Sequence, residues 1–200
     1  MNIYVETNFV LDLTFEQEQS ESCEKILDLS ESKQVKLILP AYSLAEPHEK
    51  LNRQAASRKN LQSSLNIELR QLARSKTYIS RIESIRDIER LLIQSNEEEW
   101  QRFIQYRHRL LNSGEFIALD LNVLQGAAAF EALYDLKSQD AIVFASVISH
   151  LQQTKPNQAC FLNKNSRDFD SPDIVQELNR WNCRMIPRFD HGLGFIQSQL

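Results

Sequence analysis

The hydrophobic pattern of the chain alternates between short apolar runs and longer amphipathic stretches. Five apolar runs predict strands at residues 3–5, 36–39, 115–119, 158–162 and 183–187. Helical spacing predicts helices that begin near residues 14, 41, 123, 138 and 172. Strands that alternate with helices indicate a parallel sheet covered on both faces. The sequence therefore predicts an α/β fold with three α/β/α layers around a central parallel sheet of four to five strands.

One long segment interrupts this alternation. Residues 53–113 contain no glycine and are rich in Gln, Arg, Glu, Leu and Ile at near-helical spacing. The segment predicts two or three long amphipathic helices, broken near residues 75–80 and again near 113–114. Because two hundred residues are the size of one ordinary domain, we expect a single domain at 1–200 with a helical insertion at 53–113.

The charge of the chain is unevenly distributed. The net charge is −4, which by itself does not indicate a nucleic-acid-binding protein. The stretch from Lys50 to Arg81, however, contains eight basic residues and the single acid Glu68. Such a stretch can neutralise phosphates, or it can be an ordinary solvated helical face.

The cysteines and apolar runs indicate the compartment. Cys23, Cys160 and Cys183 are odd in number and widely spaced, which argues against a disulfide framework or a zinc knuckle. No apolar run approaches the length that a membrane span needs. The apolar start lacks a basic leader, so a secretory signal is not expected. We expect a cytoplasmic protein without a membrane partner.

Four carboxylates occur where strands give way to helices. Glu6 follows the first strand, Glu46 lies on the helix after the second, Asp140 begins an apolar helix, and Asp168 follows the strand at 158–162, with Asn165 nearby. The carboxyl ends of parallel strands meet at one edge of a sheet, so these side chains can converge. Clustered carboxylates require a counter-charge, and hard divalent cations such as Mg²⁺ or Mn²⁺ prefer oxygen ligands. Taken singly, Asp140 could be a helix cap, Glu46 a solvated residue and Asp168 a turn residue.

These motifs together resemble the PIN-domain ribonucleases. That family opens with a strand, an acid and Thr-Asn, here Glu6-Thr7-Asn8, and places a glutamate on the helix after the second strand, here Glu46. It continues with an aspartate that heads a helix of small residues, here Asp140, and with an Asn-x-x-Asp-Phe loop, here 165–169. The resemblance implies a metal-dependent endoribonuclease with Glu6, Glu46, Asp140 and Asp168 as catalytic residues. It implies Mg²⁺ or Mn²⁺ as the cofactor, with Glu6, Asp140, Asn165 and Asp168 as its ligands.

Two positions depart from the family pattern. Glu6 stands where the family usually has Asp, and the extra methylene moves the carboxylate by about 1 Å, a displacement to which catalysis is sensitive. Asn165 aligns best with a position that many members fill with Asp, whereas Asp168 is the nearby carboxylate. Either residue could face the metal.

The basic insertion suggests the partner. We expect single-stranded RNA to bind along it and at the opening strand, and the candidate contacts are Asn8, Arg53, Arg58, Lys59 and Arg74. A homodimer and an antitoxin-like protein are further partners that the resemblance implies.

Two alternatives compete with a nuclease, and the residues disfavour the second of them. The first is a PIN-like scaffold that binds RNA or a protein and hydrolyses RNA weakly. The second is a haloacid-dehalogenase-like phosphatase, which needs a nucleophilic aspartate where Glu6 stands and a second acid two residues later, where this chain has Asn8.

Overall fold

A computed structural model shows an α/β architecture built on one parallel sheet. It describes residues 1–165, 169 and 171–200, except for the side chains of residues 80 and 83–86. The strands are β1 (Asn2–Val5), β2 (Lys36–Pro40), β3 (Glu115–Ile117), β4 (Ala159–Leu162) and β5 (Cys183–Ile186). The helices in the described part are α1 (Thr7–Phe15), α2 (Ser20–Glu31), α3 (Tyr42–Leu72), α4 (Ile79–Ser113), α5 (Leu121–Tyr134), α6 (Ser138–Thr154), α7 (Pro172–Arg180) and α8 (Phe189–Gln197).

The strand order brings distant parts of the chain to one edge of the sheet. The order is β3-β2-β1-β4-β5 and every neighbouring pair is parallel. The first strand is central, with Ile3 aligned with Leu37 on one side and with Cys160 on the other. The carboxyl ends of β1, β2 and β4 therefore lie side by side, which confirms the predicted parallel sheet.

Alternate residues of each strand enter two separate cores. On one face Ile3, Val5 and Leu37 pack with residues of α1, α2, α4 and α8. On the other face Tyr4 and Ile38 pack with residues of α5, α6 and α7. Successive side chains of a strand point to opposite faces of the sheet. A strand that is buried on both faces therefore needs apolar residues at every position, as residues 3–5 have. The two cores confirm the three-layer α/β/α arrangement. The cysteines are free and buried.

The first helix begins earlier than the sequence pattern indicated. The prediction placed a helix start near residue 14, whereas α1 begins at Thr7 and a second helix, α2, begins at Ser20. Phe9, Val10 and Leu13 are fully buried and lie on the helix that follows the strand without a loop. Apolar residues of a short helix buried all round do not show a clear 3.6-residue period, which is why the pattern missed it.

Two helix starts carry local signals that are visible in the sequence. The side chain of Asp120 caps α5 by accepting a hydrogen bond from the backbone N–H of Val123 at 2.9 Å. Pro172 lies at the start of α7, where a missing N–H costs nothing. Among the described helices, none is both long and apolar enough to cross a membrane.

Helix α3 contains a proline near its start. Pro47 lies within Tyr42–Leu72, one residue after Glu46, and the helix continues past it for six turns or more. Proline has no N–H, so the carbonyl of Ser43 lacks its usual helical donor at this point. Pro47 therefore lies inside the helix, beyond its first turn.

The long helices form an antiparallel hairpin. Residues 53–113 lie in the rest of α3, a turn at 73–78, and α4. The guanidinium of Arg58 donates to both carboxylate oxygens of Glu99, at 2.7 and 2.9 Å, and to the side-chain oxygen of Asn96 at 2.7 Å. Farther out, Gln62 and Asn66 donate to Glu89. The inner face of the hairpin is thus held partly by polar contacts.

Replacing Arg58 with methionine is expected to destabilise the protein by about 3 kcal/mol, because it leaves the carboxylate of Glu99 buried without its partner. The measurement is urea unfolding of both proteins. Arg90→Met is the control, because the Arg90–Asp87 pair is about three-quarters exposed, and its loss is expected to cost less than about 0.5 kcal/mol. Equal effects of the two changes would contradict the role given to Arg58.

Candidate functional site

An open cleft of about 530 Å³ lies at the carboxyl edge of the sheet. Its walls come from the junctions after β1 and β4, the first turns of α3, and the start of α6. The lining residues are Glu6, Thr7, Asn8, Leu11, Glu46, Lys50, Arg53, Lys137, Gln139, Asp140, Val143, Lys164 and Asn165. Three of the four predicted carboxylates therefore meet in one cleft.

Glu6 lies at the base of this cleft. It precedes the first turn of α1, and only 7% of its surface is exposed. Its Oε1 is buried and has no hydrogen-bond partner in the described part of the chain. Burial, reinforced by the nearby carboxylates of Glu46 and Asp140, raises the pKa of Glu6 to about 7, although the N–H groups of Asn8 oppose the shift. A buried carboxylate oxygen with no partner is the position at which a cation or a proton is most strongly favoured.

Glu46 is oriented from the first strand-to-helix junction. The hydroxyl of Thr7 donates a hydrogen bond of 2.6 Å to Oε2 of Glu46. This bond joins the start of α1 to the start of α3, across the neighbouring strands β1 and β2. Thr7 is itself buried. The Thr7 hydroxyl thus fixes one oxygen of Glu46, while the carboxylate remains on the wall of the cleft.

Asp140 and Asn165 form the opposite side of the cleft. Asp140 lies in the first turn of α6, where a negative charge interacts favourably with the helix dipole. The amide of Asn165 donates to Oδ1 of Asp140 at 3.3 Å. Asn165 thus reaches the site through Asp140. Asp168 lies outside the described residues, so the choice between Asn165 and Asp168 as a metal ligand stays a prediction.

A buried ion pair holds the loop after β4. The ammonium of Lys164 is 2.9 and 3.1 Å from the two carboxylate oxygens of Asp12, which is 1% exposed. The next residue receives a second restraint, because the backbone N–H of Asn165 donates to Oδ1 of Asn163 at 2.7 Å. These contacts fix the loop against α1 and set the position of Asn165 beside Asp140.

The predicted RNA-binding residues fall into two groups. Asn8 and Arg53 line the cleft. Arg58 is engaged with Glu99 inside the hairpin, Lys59 lies on a groove between α3 and α4, and Arg74 lies in the turn at the far end. Arg58 is therefore engaged in its ion pair with Glu99. Lys59 and Arg74 lie farther along the hairpin, away from the carboxylates.

Three lysines at the cleft were not among the predicted site residues. Lys50 lies one turn after Glu46 on α3, Lys137 precedes α6, and Lys164 follows β4. Lys137 and Lys164 are sequence neighbours of Asp140 and Asn165, and that proximity was the available signal. Together with Arg53, these cations surround the carboxylates and partly offset their mutual repulsion.

The donor chemistry of the cleft suits a hard divalent cation. Carboxylate oxygens of Glu6, Glu46 and Asp140 and the amide of Asn165 line it, and Mg²⁺ and Mn²⁺ favour such ligands. The partnerless Oε1 of Glu6 is a specific position for such an ion. Among the described residues, however, no three His, Cys, Asp or Glu side chains lie close enough together to hold a metal. The described residues therefore provide an open, partial site.

Comparison with known protein families identifies a family for this chain. A family model described as a PIN domain matches residues 3–169. Searches of curated proteins and of solved structures gave no match. The matched range covers most of the chain, including β1 to β4 and every residue that lines the cleft. Together with the parallel sheet and the carboxylates at its edge, this match shows that the chain belongs to the PIN-domain family.

Proposed function

We propose that this protein is a metal-dependent endoribonuclease that hydrolyses phosphodiester bonds of single-stranded RNA in the cleft at the sheet edge. PIN domains are generally nucleases and generally use divalent metals. The observation that carries the proposal is Glu6, a buried carboxylate whose Oε1 has no hydrogen-bond partner in the described part of the chain and which faces Glu46 and Asp140.

The residues take distinct roles in this proposal. Glu6 and Asp140 would hold Mg²⁺ or Mn²⁺, and Thr7 fixes Glu46 so that its carboxylate can orient a water molecule. A divalent cation bound there would supply an activated water and neutralise developing charge on the phosphate. Asn165 keeps Asp140 in place through its amide. Because burial raises the pKa of Glu6 to about 7, its side chain is mostly protonated below neutral pH and mostly charged above it, and a bound cation would favour the charged form.

The cations around the cleft support a phosphate-containing substrate. Lys50, Arg53 and Lys137 line the same cleft as the carboxylates, an arrangement that can hold a polyanion against an acidic centre. Only one aromatic residue, Tyr78, occurs between residues 53 and 99, so extensive stacking of bases along the hairpin is not expected. The substrate class is therefore RNA recognised mainly through its backbone.

Metal dependence is the direct test of this function. Purified protein treated with EDTA should not cleave single-stranded RNA, and added Mn²⁺ or Mg²⁺ should restore cleavage, with internal cuts visible on end-labelled substrates. Ca²⁺ serves as a control for non-specific charge neutralisation. Undiminished cleavage in EDTA would rule out the proposal.

Replacing Arg53 with glutamine is expected to weaken RNA binding for all sequences alike and to reduce the salt slope of the affinity by about 0.7, because one phosphate contact is lost. Binding is measured on the Asp140→Asn background to prevent cleavage. Arg74→Gln is the matched control, since Arg74 lies in the turn of the hairpin and not in the cleft. An unchanged salt slope of the RNA affinity in Arg53→Gln would show that bound RNA does not contact Arg53.

A catalytically weak scaffold is the second candidate. It is favoured by the absence, among residues that the structure describes, of three His, Cys, Asp or Glu side chains close enough to hold a metal. Titration calorimetry with Mn²⁺ separates the two functions. A nuclease should bind Mn²⁺ and lose that binding in Glu6→Gln, whereas a scaffold should bind RNA with no measurable metal binding.

A further inference from the structure

A phenylalanine continues one wall of the cleft along α1. Asn8 and Leu11 line the cleft, and Phe15 follows Leu11 by four residues on the same helix. Residues at positions i, i+3 and i+7 share one side of a helix, so Phe15 extends the row that Asn8 and Leu11 begin. It lies about 10 Å beyond Asn8 along the helix axis. Phe15 is therefore placed at the end of the cleft, close to the carboxylates but not among them.

Helix α3 supplies the facing side of this end of the cleft. Glu46, Lys50 and Arg53 line the cleft at positions i, i+4 and i+7, so they also form one row. The ammonium of Lys50 lies over the ring of Phe15, 5.7 Å from the ring centroid. This contact joins the two rows and shows that Phe15 borders the cleft. The cleft thus ends with an aromatic ring on one side and two cations on the other.

The surroundings of Phe15 suit a ring that can be uncovered. Its side chain is only partly buried, and it packs against the core that α1 shares with β1 and β2. The group that lies over the ring is the ammonium of Lys50. A cation–π contact at an exposed position is weak, whereas an ammonium forms a charge-assisted hydrogen bond with a phosphate oxygen. An incoming phosphate would therefore draw Lys50 away from the ring and leave the ring face open.

We propose that Phe15 stacks one base of a bound single-stranded RNA, while Lys50 and Arg53 bind the adjoining phosphates. This assignment rests on the proposed function and adds to it a subsite for one unpaired nucleotide near the bond that is cut. Bases of every kind stack on aromatic rings, so the subsite selects an unpaired nucleotide and not a particular base. Because a base within a duplex is already stacked and paired, the subsite predicts a preference for single strands.

Removal of single bases from the RNA tests the subsite. Binding is measured with the Asp140→Asn protein, to prevent cleavage, and with a short single-stranded RNA in which each nucleotide in turn lacks its base. One abasic position, near the bond that the wild-type protein cuts, should weaken binding about tenfold. Adding Phe15→Leu should abolish this effect, because the ring that the base contacts is gone. Phe15→Tyr, which keeps a ring, should preserve it.

Phe195→Leu is the matched control. Phe195 is also partly buried against the same core, and the guanidinium of Arg184 lies over its ring at 5.2 Å from the centroid. Neither Phe195 nor Arg184 lines the cleft. On the Asp140→Asn background, Phe195→Leu should leave the affinity for intact RNA and the abasic effect unchanged. Circular dichroism checks that each variant is folded.

The outcomes separate this assignment from the function on which it rests. If the abasic position weakens binding equally with and without Phe15→Leu, the base does not contact the ring and the assignment is wrong. If no abasic position weakens binding, the assignment is also wrong, and that result needs no change at Phe15. Absence of RNA binding by the Asp140→Asn protein would overturn the proposed function together with the assignment.

Discussion

Replacing Asp140 with asparagine is expected to reduce RNA cleavage by about 100-fold or more, because the cleft loses a charged oxygen ligand that amide oxygen replaces poorly. Asp140 lines the cleft and lies beside both Glu6 and Asn165. The measurement is the single-turnover rate of cleavage of a labelled single-stranded RNA, at saturating Mn²⁺ and at neutral pH. The loss should fall mainly on the rate and much less on RNA affinity.

Asp173→Asn provides a matched control. Asp173 occupies the first turn of α7 as Asp140 occupies the first turn of α6, so both variants lose the same interaction with a helix dipole. Asp173 is exposed and does not line the cleft. Its replacement should leave the rate unchanged. If Asp140→Asn retains full activity, the carboxylate does not take part in the reaction and the proposed function fails.

Glu6→Gln is expected to stabilise the metal-free protein above pH 7 while removing RNA cleavage. The pKa of Glu6 is about 7 in the folded protein and 4.5 in its reference state. Between pH 4.5 and pH 7, Glu6 therefore keeps its proton in the folded state and has lost it in the unfolded state. The stabilising contribution of the protonated group is complete below pH 4.5 and is lost as the pH rises through 7, and it amounts to about 3 kcal/mol.

The measurement is urea unfolding in EDTA at pH 5 and pH 8. The wild-type protein should lose about 3 kcal/mol more than Glu6→Gln between these pH values. Glu49→Gln, an exposed change on α3, should follow the wild type. Parallel curves for wild type and Glu6→Gln would show that Glu6 does not titrate in this range and that its burial is compensated by another group.

The sequence indicated much of this molecule because its signals are local. The run at residues 3–5 was a buried strand, Asp120 was a cap, and Pro172 began a helix. The convergence of Glu6, Glu46 and Asp140 also followed from local reasoning, since parallel strands bring their carboxyl ends together. The order of the predicted strands and helices was enough to place these three carboxylates at one edge of the sheet.

Contacts between residues that are far apart in the chain could not be predicted from the sequence in the same way. Lys164 and Asp12 are far apart in the chain, and their pairing depends on how α1 packs beside β4. Asp12 did offer a signal, because an acid within the run Val10-Leu11-Asp12-Leu13 needs a buried partner. Nothing in the sequence identified which cation that would be. Arg58 shows the converse: RNA binding by this residue stays a prediction, and its ion pair with Glu99 across the hairpin could not be read from the sequence.

Helix α3 runs as one continuous helix from the cleft to the far end of the hairpin. Glu46 lies near its first turn and Leu72 at its far end, about 40 Å away. Pro47, where one backbone hydrogen bond is missing, is the point at which this helix bends most easily. A bend of about 5° there would move the far end by roughly 3 Å, while the hydrogen bond from Thr7 holds Glu46 on the short arm. The outer hairpin can therefore shift by a few ångströms at its far end while the carboxylate of Glu46 keeps its position in the cleft.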